Sequence, residues 1–545
     1  MILEPTAVFQ APVIAWPSLT PILVVAGGAV LAILLESFIP VAWRRPAVVL
    51  VSLATPLLAI AAIVMRWLAV AGTTGAADAA AAGVPGLPGA TGGPQSVIVG
   101  GEYVEDPLTL AAQLILALTA FIAIAVMADR TSVGDGAFAG QPSDRPGSRE
   151  EELSDQRAYQ RSEMFPLALF SLTGMMVFPA ADSFVALFVA LEVMSLPLYI
   201  LAATARRRRQ LSQEAAIKYF VLGAFSSAFM LMGMAFLYGL SGSLTISTVA
   251  KALPTVTGQD WLALAGVFMV FVGLLFKVGA APFHAWTPDV YTGAPTPVTG
   301  FMAATVKVAA FAAMLRFHQV VAAIFAWDLL PVLVGVAALT MVVGTFAGVV
   351  QKDVKRMLAY SSIAHAGFVL LGVLSVVKGS SGHVLFYLAG YGLATVGAFA
   401  VISLVRSVDE DGVPGGEVTD MTRWAGIGRA HPWIGGAMLL FLLSFAGIPL
   451  TAGFIGKFVV FSDAFAGQMG WFVGLALLCS AVTAFFYFRV VRLMFFTEPA
   501  GDVEIVASEG YTLIAIMVSV AGTIALGLFP SPLLSLLSQV VISQP

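Results

Sequence analysis

The chain has 545 residues, of which 59% are hydrophobic and 11% are charged, and its formal net charge at pH 7 is −4. Soluble globular domains carry about 25% charged residues, so this composition excludes that class and predicts a polytopic membrane protein. A single cysteine excludes a disulfide and a cysteine-ligated metal or iron–sulfur site, and the sequence holds no Walker A loop or other nucleotide-binding motif.

Apolar stretches of about 20 residues are long enough to cross a bilayer as α-helices. Fourteen such stretches predict an all-α polytopic membrane protein with fourteen transmembrane helices. They cover residues 19–39, 47–70, 107–128, 163–181, 183–204, 213–240, 260–281, 297–324, 329–350, 355–377, 382–405, 432–466, 469–493 and 511–535. Residues 72–101, rich in Gly, Ala and Pro, and the polar residues 129–161 predict flexible loops with no chemistry of their own.

The distribution of Lys and Arg predicts the orientation of the chain. With the N-terminus outside, nineteen of the 27 basic residues fall on the cytoplasmic side and four on the outer side. Cytoplasmic loops are expected to carry this excess, so both termini are predicted to lie outside the cytoplasm. The remaining four basic residues, Lys218, Lys277, Lys307 and Lys457, lie inside predicted helices.

The order of the helices predicts an internal repeat. Helices 4–8 and 9–13 form two five-helix blocks, and an odd number of crossings makes the second block inverted. Each block is interrupted in its fourth member, helix 7 by KVGAAPF and helix 12 by GIPLTAGFIGK, as in transporters whose site lies near the midplane. We expect an N-terminal part with three helices and two loops, a first repeat, a second repeat, and a C-terminal loop with helix 14. These parts cover residues 1–162, 163–326, 327–494 and 495–545.

Four charged residues lie deep in apolar helices: Glu192 in helix 5, Lys277 in helix 7, Lys307 in helix 8 and Lys457 after the break in helix 12. A lysine at bilayer depth costs about 3 kcal/mol on insertion scales and indicates a functional site. Apolar surroundings favour a neutral lysine, whereas a nearby carboxylate favours a charged one. A Glu–Lys pair whose spacing changes is therefore a proton switch, although any single buried lysine could also be a structural partner of another helix.

Two further groups are candidates. His365 follows Ser361 and Ser362 on one face of helix 10, which suggests a hydrated path, although a structural histidine is an equal alternative. Lys218 lies near the cytoplasmic end of helix 6, where its side chain could extend to the surface. His284 follows the break in helix 7, and the sequence leaves its role open.

Several runs resemble a known family. ALFVALEVMSLPLYIL, AIKYFVLGAFSSA, GLLFKVGAAPFHAWTPDVYTGAPTPVTGFMA, KRMLAYSSIAHAGFVLLG and GIPLTAGFIGKFVVF are similar to the antiporter-like membrane subunits of bacterial NADH-quinone oxidoreductase (respiratory complex I), and among them to the subunit N group. The family is related to subunits of multisubunit cation/proton antiporters. The resemblance covers roughly residues 100–500.

This resemblance implies a charged axis along the membrane midplane. Proton translocation would use the residues at the family's motif positions, which are Glu192, Lys218, Lys277, Lys307, His365 and Lys457. The chain itself would have no redox centre, cofactor or metal, and NADH, FMN, Fe–S clusters and quinone would belong to partner subunits. Its partners would be other membrane subunits of complex I, including neighbouring antiporter-like subunits, and the lipid bilayer of the bacterial inner (plasma) membrane, with no nucleic acid.

Three alternatives stay open at this point. The chain could be a subunit of a cation/proton antiporter that works without quinone chemistry. It could be a solute carrier of another class that binds an organic anion at the break between helices 7 and 8. It could also be purely structural, in which case neutralising the four buried lysines would leave coupling intact.

Overall fold

The computed structural model describes most of the chain. The described residues are 14–80, 97–99, 102–131, 136–138, 148–149, 153, 162–205, 208–375, 377, 379–408, 414–499, 501, 503–540 and 542. The loops predicted at 72–101 and 129–161 therefore fall largely outside them. Where the first of these segments is described it differs from the prediction, because the second helix continues to Ala80 and a short strand covers Val97–Val99.

Long helices dominate the fold, as the composition predicts. In chain order they are α1 Trp16–Phe38, α2 Val41–Ala80, α3 Pro107–Ala128, α4 Met164–Val177, α5 Phe184–Ala202, α6 Arg209–Ser241, α7 Asp260–Val278, α8 Thr296–Val320, α9 Ala326–Val349, α10 Val354–Leu374, α11 Ser380–Leu404, α12 in two halves Pro432–Ala446 and Ala452–Ala466, α13 Gly470–Phe496 and α14 Tyr511–Leu528. Twelve helices of the described part are long and apolar enough to cross a membrane. A multi-pass membrane protein is therefore confirmed. The number fourteen stays a prediction, because α4 and the first half of α12 are apolar but shorter.

The connections contain short secondary structure that the sequence analysis did not predict. Strands β1 (Val97–Val99) and β2 (Tyr103–Glu105) pair antiparallel before α3. In a second sheet β3 (Val405–Val408) lies between β4 (Pro414–Glu417) and β5 (Val503–Ile505), again antiparallel. Short helices of seven and eight residues cover Ile246–Ala252, Trp286–Gly293 and Ser531–Leu537. These elements lie between the long helices or, for Ser531–Leu537, after α14, so the membrane-spanning part remains helical.

The predicted breaks in helices 7 and 12 are confirmed. Helix α7 ends at Val278, and Gly279 has a φ of 73°. The first half of α12 ends at Ala446, and Gly447 has a φ of 81°. Glycine adopts this left-handed backbone without the steric cost of a Cβ atom. At Gly447 a Cβ would also come within 2.9 Å of the Lys457 side chain, so the second break needs glycine on both grounds.

Four helices form the centre of the bundle. The apolar stretches of α8 and α11 are wholly buried, and those of α3 and α10 are nearly so. Helix α11 packs against α3, α8, α10, α12 and α14. The outer helices, among them α1, α2, α6 and α13, expose apolar side chains, as a lipid-facing surface requires. Lys307 on α8 and His365 on α10 therefore lie inside the protein and away from lipid.

Candidate functional site

All six residues predicted to form the site lie in the described part of the chain. Lys277, Lys307, His365 and Lys457 are each at most 5% exposed. Glu192 is half-buried. The side chain of Lys218 is 40% exposed, which separates it from the other lysines.

Lys277 lies in the last turn of α7, directly before the break. Its Nζ donates a hydrogen bond of 2.8 Å to Ser195 Oγ on α5. The rings of Tyr199 and Tyr219 face the same ammonium, each with its centroid 5.5 Å from Nζ. This geometry suits a cation, since aromatic faces attract positive charge.

Glu192 lies one helical turn before Ser195 on α5 and is within electrostatic reach of Lys277. The two side chains form no direct ion pair in the structure as described, and Ser195 makes the contact with Lys277 instead. The sequence analysis predicted that Glu192 and Lys277 act together. The structure brings them to one place with a hydroxyl group between the two helices.

Lys218 forms ion pairs of 2.6 Å with Glu214 in the preceding turn and with Asp289 after the break. Asp289 is shared with Arg356, whose Nη1 lies 2.8 Å from the other carboxylate oxygen. Burial raises the pKa of Asp289, but its bonds to Lys218 and Arg356 outweigh this effect and hold it below its usual range. Lys218 thus belongs to a charged cluster beside the short helix Trp286–Gly293.

Lys307 follows a π-helical turn over Met302–Val306 within α8. Its Nζ donates a short hydrogen bond to the backbone carbonyl of Ser362 on α10, and the Tyr391 ring centroid lies 5.7 Å away. π-helical turns are rare and are frequent at functional sites. The widened turn occupies the residues directly before Lys307.

His365 is held between two tyrosine hydroxyls. Its Nδ1 lies 2.6 Å from the hydroxyl of Tyr387 on α11, and its Nε2 lies 3.4 Å from that of Tyr487 on α13. Tyr487 also makes a short hydrogen bond with Ser361. The polar stripe predicted on α10 therefore continues across two neighbouring helices.

Lys457 bridges the break in α12. Its Nζ donates to the carbonyls of Phe445 and Ala446 at 2.8 and 3.0 Å, and to Ser480 Oγ on α13 at 2.8 Å. The two carbonyls end the first half of α12, where the helix dipole favours a cation. The broken helix thus supplies backbone acceptors that an unbroken helix would have used internally.

The sequence analysis missed the tyrosines of this region. Tyr291 lies 3.3 Å from the hydroxyl of Ser362, and the Tyr391 ring centroid lies 4.9 Å from that of His365. Tyr387 and Tyr391 are four residues apart on an otherwise apolar helix. That spacing is the one signal in the sequence that could have identified them.

Lys277, Lys307 and Lys457 have no carboxylate within ion-pair distance in the described structure. Hydroxyls, carbonyls and aromatic faces stabilise their ammonium groups instead. Of these partners the hydroxyl groups can both donate and accept a hydrogen bond, whereas the carbonyls and the aromatic faces only accept one. Among the described residues no cluster of His, Cys, Asp and Glu could hold a metal.

Comparison with known proteins gives one consistent family. Residues 181–483 match the family described as NADH:quinone oxidoreductase/Mrp antiporter, TM. NADH-quinone oxidoreductase subunit N from Beutenbergia cavernae is 50% identical over 540 residues, covering 97% of this chain and 98% of that protein. Subunit N from Mycobacteroides abscessus is 46% identical over 549 residues, covering 97% of each.

Solved structures agree. A chain of respiratory complex I from Thermus thermophilus with bound Aureothin superposes with a TM-score of 0.72 at 31% identity, covering 96% of this chain and all of that one. A chain of the Mrp complex from Dietzia sp. DQ12-45-1b gives a TM-score of 0.75 at 20% identity, covering 96% of this chain and 97% of that one. The second likeness is one of fold alone.

Proposed function

Because this chain belongs to the subunit N group of the NADH:quinone oxidoreductase/Mrp antiporter family, we propose that it translocates protons as a redox-inactive membrane subunit of NADH-quinone oxidoreductase. The energy comes from quinone reduction in partner subunits, which also hold NADH, FMN, Fe–S clusters and quinone. The partners are the other membrane subunits of the complex, including neighbouring antiporter-like ones. The chain lies in the bacterial plasma membrane with both termini outside the cytoplasm.

One observation carries this proposal. Two of the three buried lysines, Lys277 and Lys457, and the buried His365 are joined to hydroxyl groups on other helices. Lys307 reaches α10 at Ser362, one turn from His365. Such a row of bases at bilayer depth is costly to build and points to a proton relay.

The first step involves Glu192 and Lys277. When the carboxylate is close, it favours the protonated lysine, and when it moves away, the apolar surroundings favour the neutral amine. Ser195, which accepts the hydrogen bond from Lys277 at 2.8 Å, lies on the same helix as Glu192. A small movement of α5 therefore changes both the charge near Lys277 and its hydrogen bond.

The released proton moves into the second repeat. Tyr291 and Ser362 lie beside Lys307, and His365 follows with its two tyrosines. Lys457, at the break in α12, is the last lysine of the row. We divide the chain into an N-terminal part (1–162), two repeats (163–326 and 327–494) and a C-terminal part (495–545). Glu192, Lys277 and Lys307 then belong to the first repeat, and His365 and Lys457 belong to the second.

The test uses the assembled complex in proteoliposomes. Lys277→Ala and Glu192→Ala should slow NADH-driven proton translocation by about tenfold or more, since a positioned acid–base group contributes about 10²–10⁴ to proton transfer. The matched control is Lys251→Ala, because Lys251 is an exposed lysine on the short helix Ile246–Ala252. Normal translocation by correctly assembled Lys277→Ala and Glu192→Ala complexes would refute the proposal.

A second candidate is a subunit of a cation/proton antiporter, favoured by the likeness in fold to the Mrp complex. In that case the protein would exchange a cation for protons without NADH. The same proteoliposomes distinguish the two functions. A pulse of Na⁺ without NADH drives protons across the membrane only if the protein is a cation/proton antiporter subunit.

A further inference from the structure

We propose that His383 and Asp463 form the site at which protons leave this chain on the outer side, reached from His365 through Tyr387. This inference rests on the proposed function and adds to it the residues of the outer path. It identifies two groups at the start of α11 and near the end of α12, outside the row of lysines.

Three proton-carrying side chains follow one face of α11. His383, Tyr387 and Tyr391 are spaced four residues apart, and residues with this spacing are neighbours on a helix surface. Each step along the axis is about 6 Å. The stripe therefore rises through about two helical turns, from the centre of the bundle to the first turn of α11.

The inner end of the stripe contacts the buried bases. The Tyr391 ring lies between Lys307 and His365, with its centroid 5.7 Å from the Lys307 ammonium and 4.9 Å from the imidazole centroid. The Tyr387 hydroxyl is 2.6 Å from Nδ1 of His365. A proton on His365 thus has a direct hydrogen-bonded route to α11.

The outer end of the stripe is an imidazole–carboxylate pair. Nδ1 of His383 lies 2.7 Å from Oδ2 of Asp463, and the His383 side chain is 30% exposed whereas that of Asp463 is 10% exposed. Asp463 makes no other side-chain hydrogen bond among the described residues. Its carboxylate is therefore directed at the imidazole, and the imidazole is the member of the pair that water can reach.

The helices around this end carry other titratable side chains. Arg316 on α8 is paired with Asp106, and the ring of His318 faces Phe271 on α7. Among the neighbouring helices, α10 carries the buried side chain of His365, and the second half of α12 carries that of Lys457 in addition to Asp463. The helix Ser531–Leu537, which packs on α11, has no titratable side chain.

The chemistry needs only proton exchange. With Nδ1–H of His383 donating to Asp463, Nε2 accepts one proton from the inner path and returns it to outer water, while the carboxylate stays charged. One N–H bond forms and one breaks, and no electron moves. Tyr387 and His383 form no hydrogen bond with each other in the described structure, so the transfer between them requires a swing of the tyrosine or an intervening water molecule.

The test compares His383→Ala and Asp463→Asn with Gln319→Ala in the reconstituted complex. Gln319 donates a 2.9 Å hydrogen bond to Ser381 at the same end of α11, so its loss controls for local packing. We expect His383→Ala to slow NADH-driven charge movement by about tenfold or more and Gln319→Ala to leave it unchanged. Added imidazole should restore part of the rate in His383→Ala and in no other variant. The rate is measured as the build-up of membrane potential, because imidazole is a permeant base and would collapse a pH gradient.

Two results would overturn the inference. Normal charge movement in assembled His383→Ala shows that protons leave elsewhere. Loss without rescue by imidazole shows that the pair is structural. Both differ from failure of the proposed function, which appears as normal translocation in Lys277→Ala. If Lys277→Ala is inactive and His383→Ala is normal, only the outer path is wrong.

Discussion

Arg316 and Asp106 form a buried ion pair near the end of α8, the helix that carries Lys307. Two nitrogens of the guanidinium lie 2.9 and 2.8 Å from the two carboxylate oxygens, and the side chains are 5% and 0% exposed. Arg316 also donates to the carbonyl of Pro179 and to Thr109. Since Asp106 caps the start of α3, the pair joins α3 and α8 to the end of α4.

Removing one partner should destabilise the protein strongly. Asp106→Ala leaves the guanidinium buried and unpaired, and breaking a buried pair in this way costs about 3–5 kcal/mol. We expect a much lower midpoint of thermal unfolding in detergent and less assembled complex. The control is Glu214→Ala, which breaks an exposed pair with Lys218 and costs about 0.5 kcal/mol or less. Equal midpoints for the two variants would contradict this assignment.

For single residues, the sequence predicts how deeply a side chain is buried better than it predicts which groups that side chain contacts. Lys277, Lys307 and Lys457 are buried as expected, because a long apolar stretch leaves the middle of a helix no route to water. The charge count places Lys355 on the cytoplasmic side and Arg316 on the outer side, but it does not predict that they are only 1% and 4% exposed. Both lie within the helices near an end, and their side chains turn inward to acceptors on other helices, which no local pattern reveals.

The break between α7 and α8 is held by a cluster on the side of the β3–β4–β5 sheet. Lys355 in the first turn of α10 donates to the carbonyl of Ala294 and to Thr296, at 2.8 and 3.1 Å. Thr296 in turn donates to the carboxylate of Glu417 on β4. Arg406 on β3 lies 3.8 Å from the same carboxylate. The β3–β4–β5 sheet is therefore fastened to the start of α8.

Lowering the pH should weaken the contact that holds the β3–β4–β5 sheet to the start of α8. Burial raises the pKa of Glu417, but the charges of Arg406 and Lys355 and the bond from Thr296 outweigh it, so the pKa lies below its usual value. A lowered folded-state pKa contributes stability that is present above the unfolded value, about 4.3, and is lost as the pH falls through the folded value. Amide hydrogen exchange in β3 and β4 should accelerate, beyond its intrinsic pH dependence, only below about pH 4.

The variant Glu417→Gln should show faster exchange in β3 and β4 already at pH 7, because the charge is absent at every pH. Glu504→Gln is the matched control, since Glu504 lies on β5 of the same sheet with an exposed side chain. Protection at pH 7 that is equal in Glu417→Gln and in the unmodified protein would show that the carboxylate does not hold the sheet.

Elements differ in how far the sequence predicts them. The breaks in α7 and α12 follow from glycines and prolines within apolar stretches, so both could be located. The π-helical turn before Lys307 could not, because MAATV has ordinary helix-forming residues. The sheet of β3, β4 and β5 joins two connections about 90 residues apart in sequence, and such long-range pairing leaves no periodic signal in so short a strand.

The connections of the whole molecule gather at two ends. At one end, Arg208 donates to Thr419, β3 pairs with β5, and Thr131 pairs with Ser508. At the other, Ser247 donates to Asp182 and Gln319 donates to Ser381. These contacts join only alternate connections, as helices that cross a membrane in turn require. The basic residues concentrate at the first end, which the positive-inside rule assigns to the cytoplasm.

Cysteine labelling tests that orientation directly. The natural Cys479 is buried in α13 and should not react with a membrane-impermeant maleimide, so Cys479→Ser gives a clean background. Thr257→Cys, at an exposed position before α7, should be labelled in intact cells. Glu504→Cys, on the sheet at the basic end, should be labelled only after the membrane is opened. Detergent denaturation checks that every thiol can react. The reverse pattern would invert the molecule and would turn His383 and Asp463 into groups on the cytoplasmic side, where a proton would enter instead of leaving.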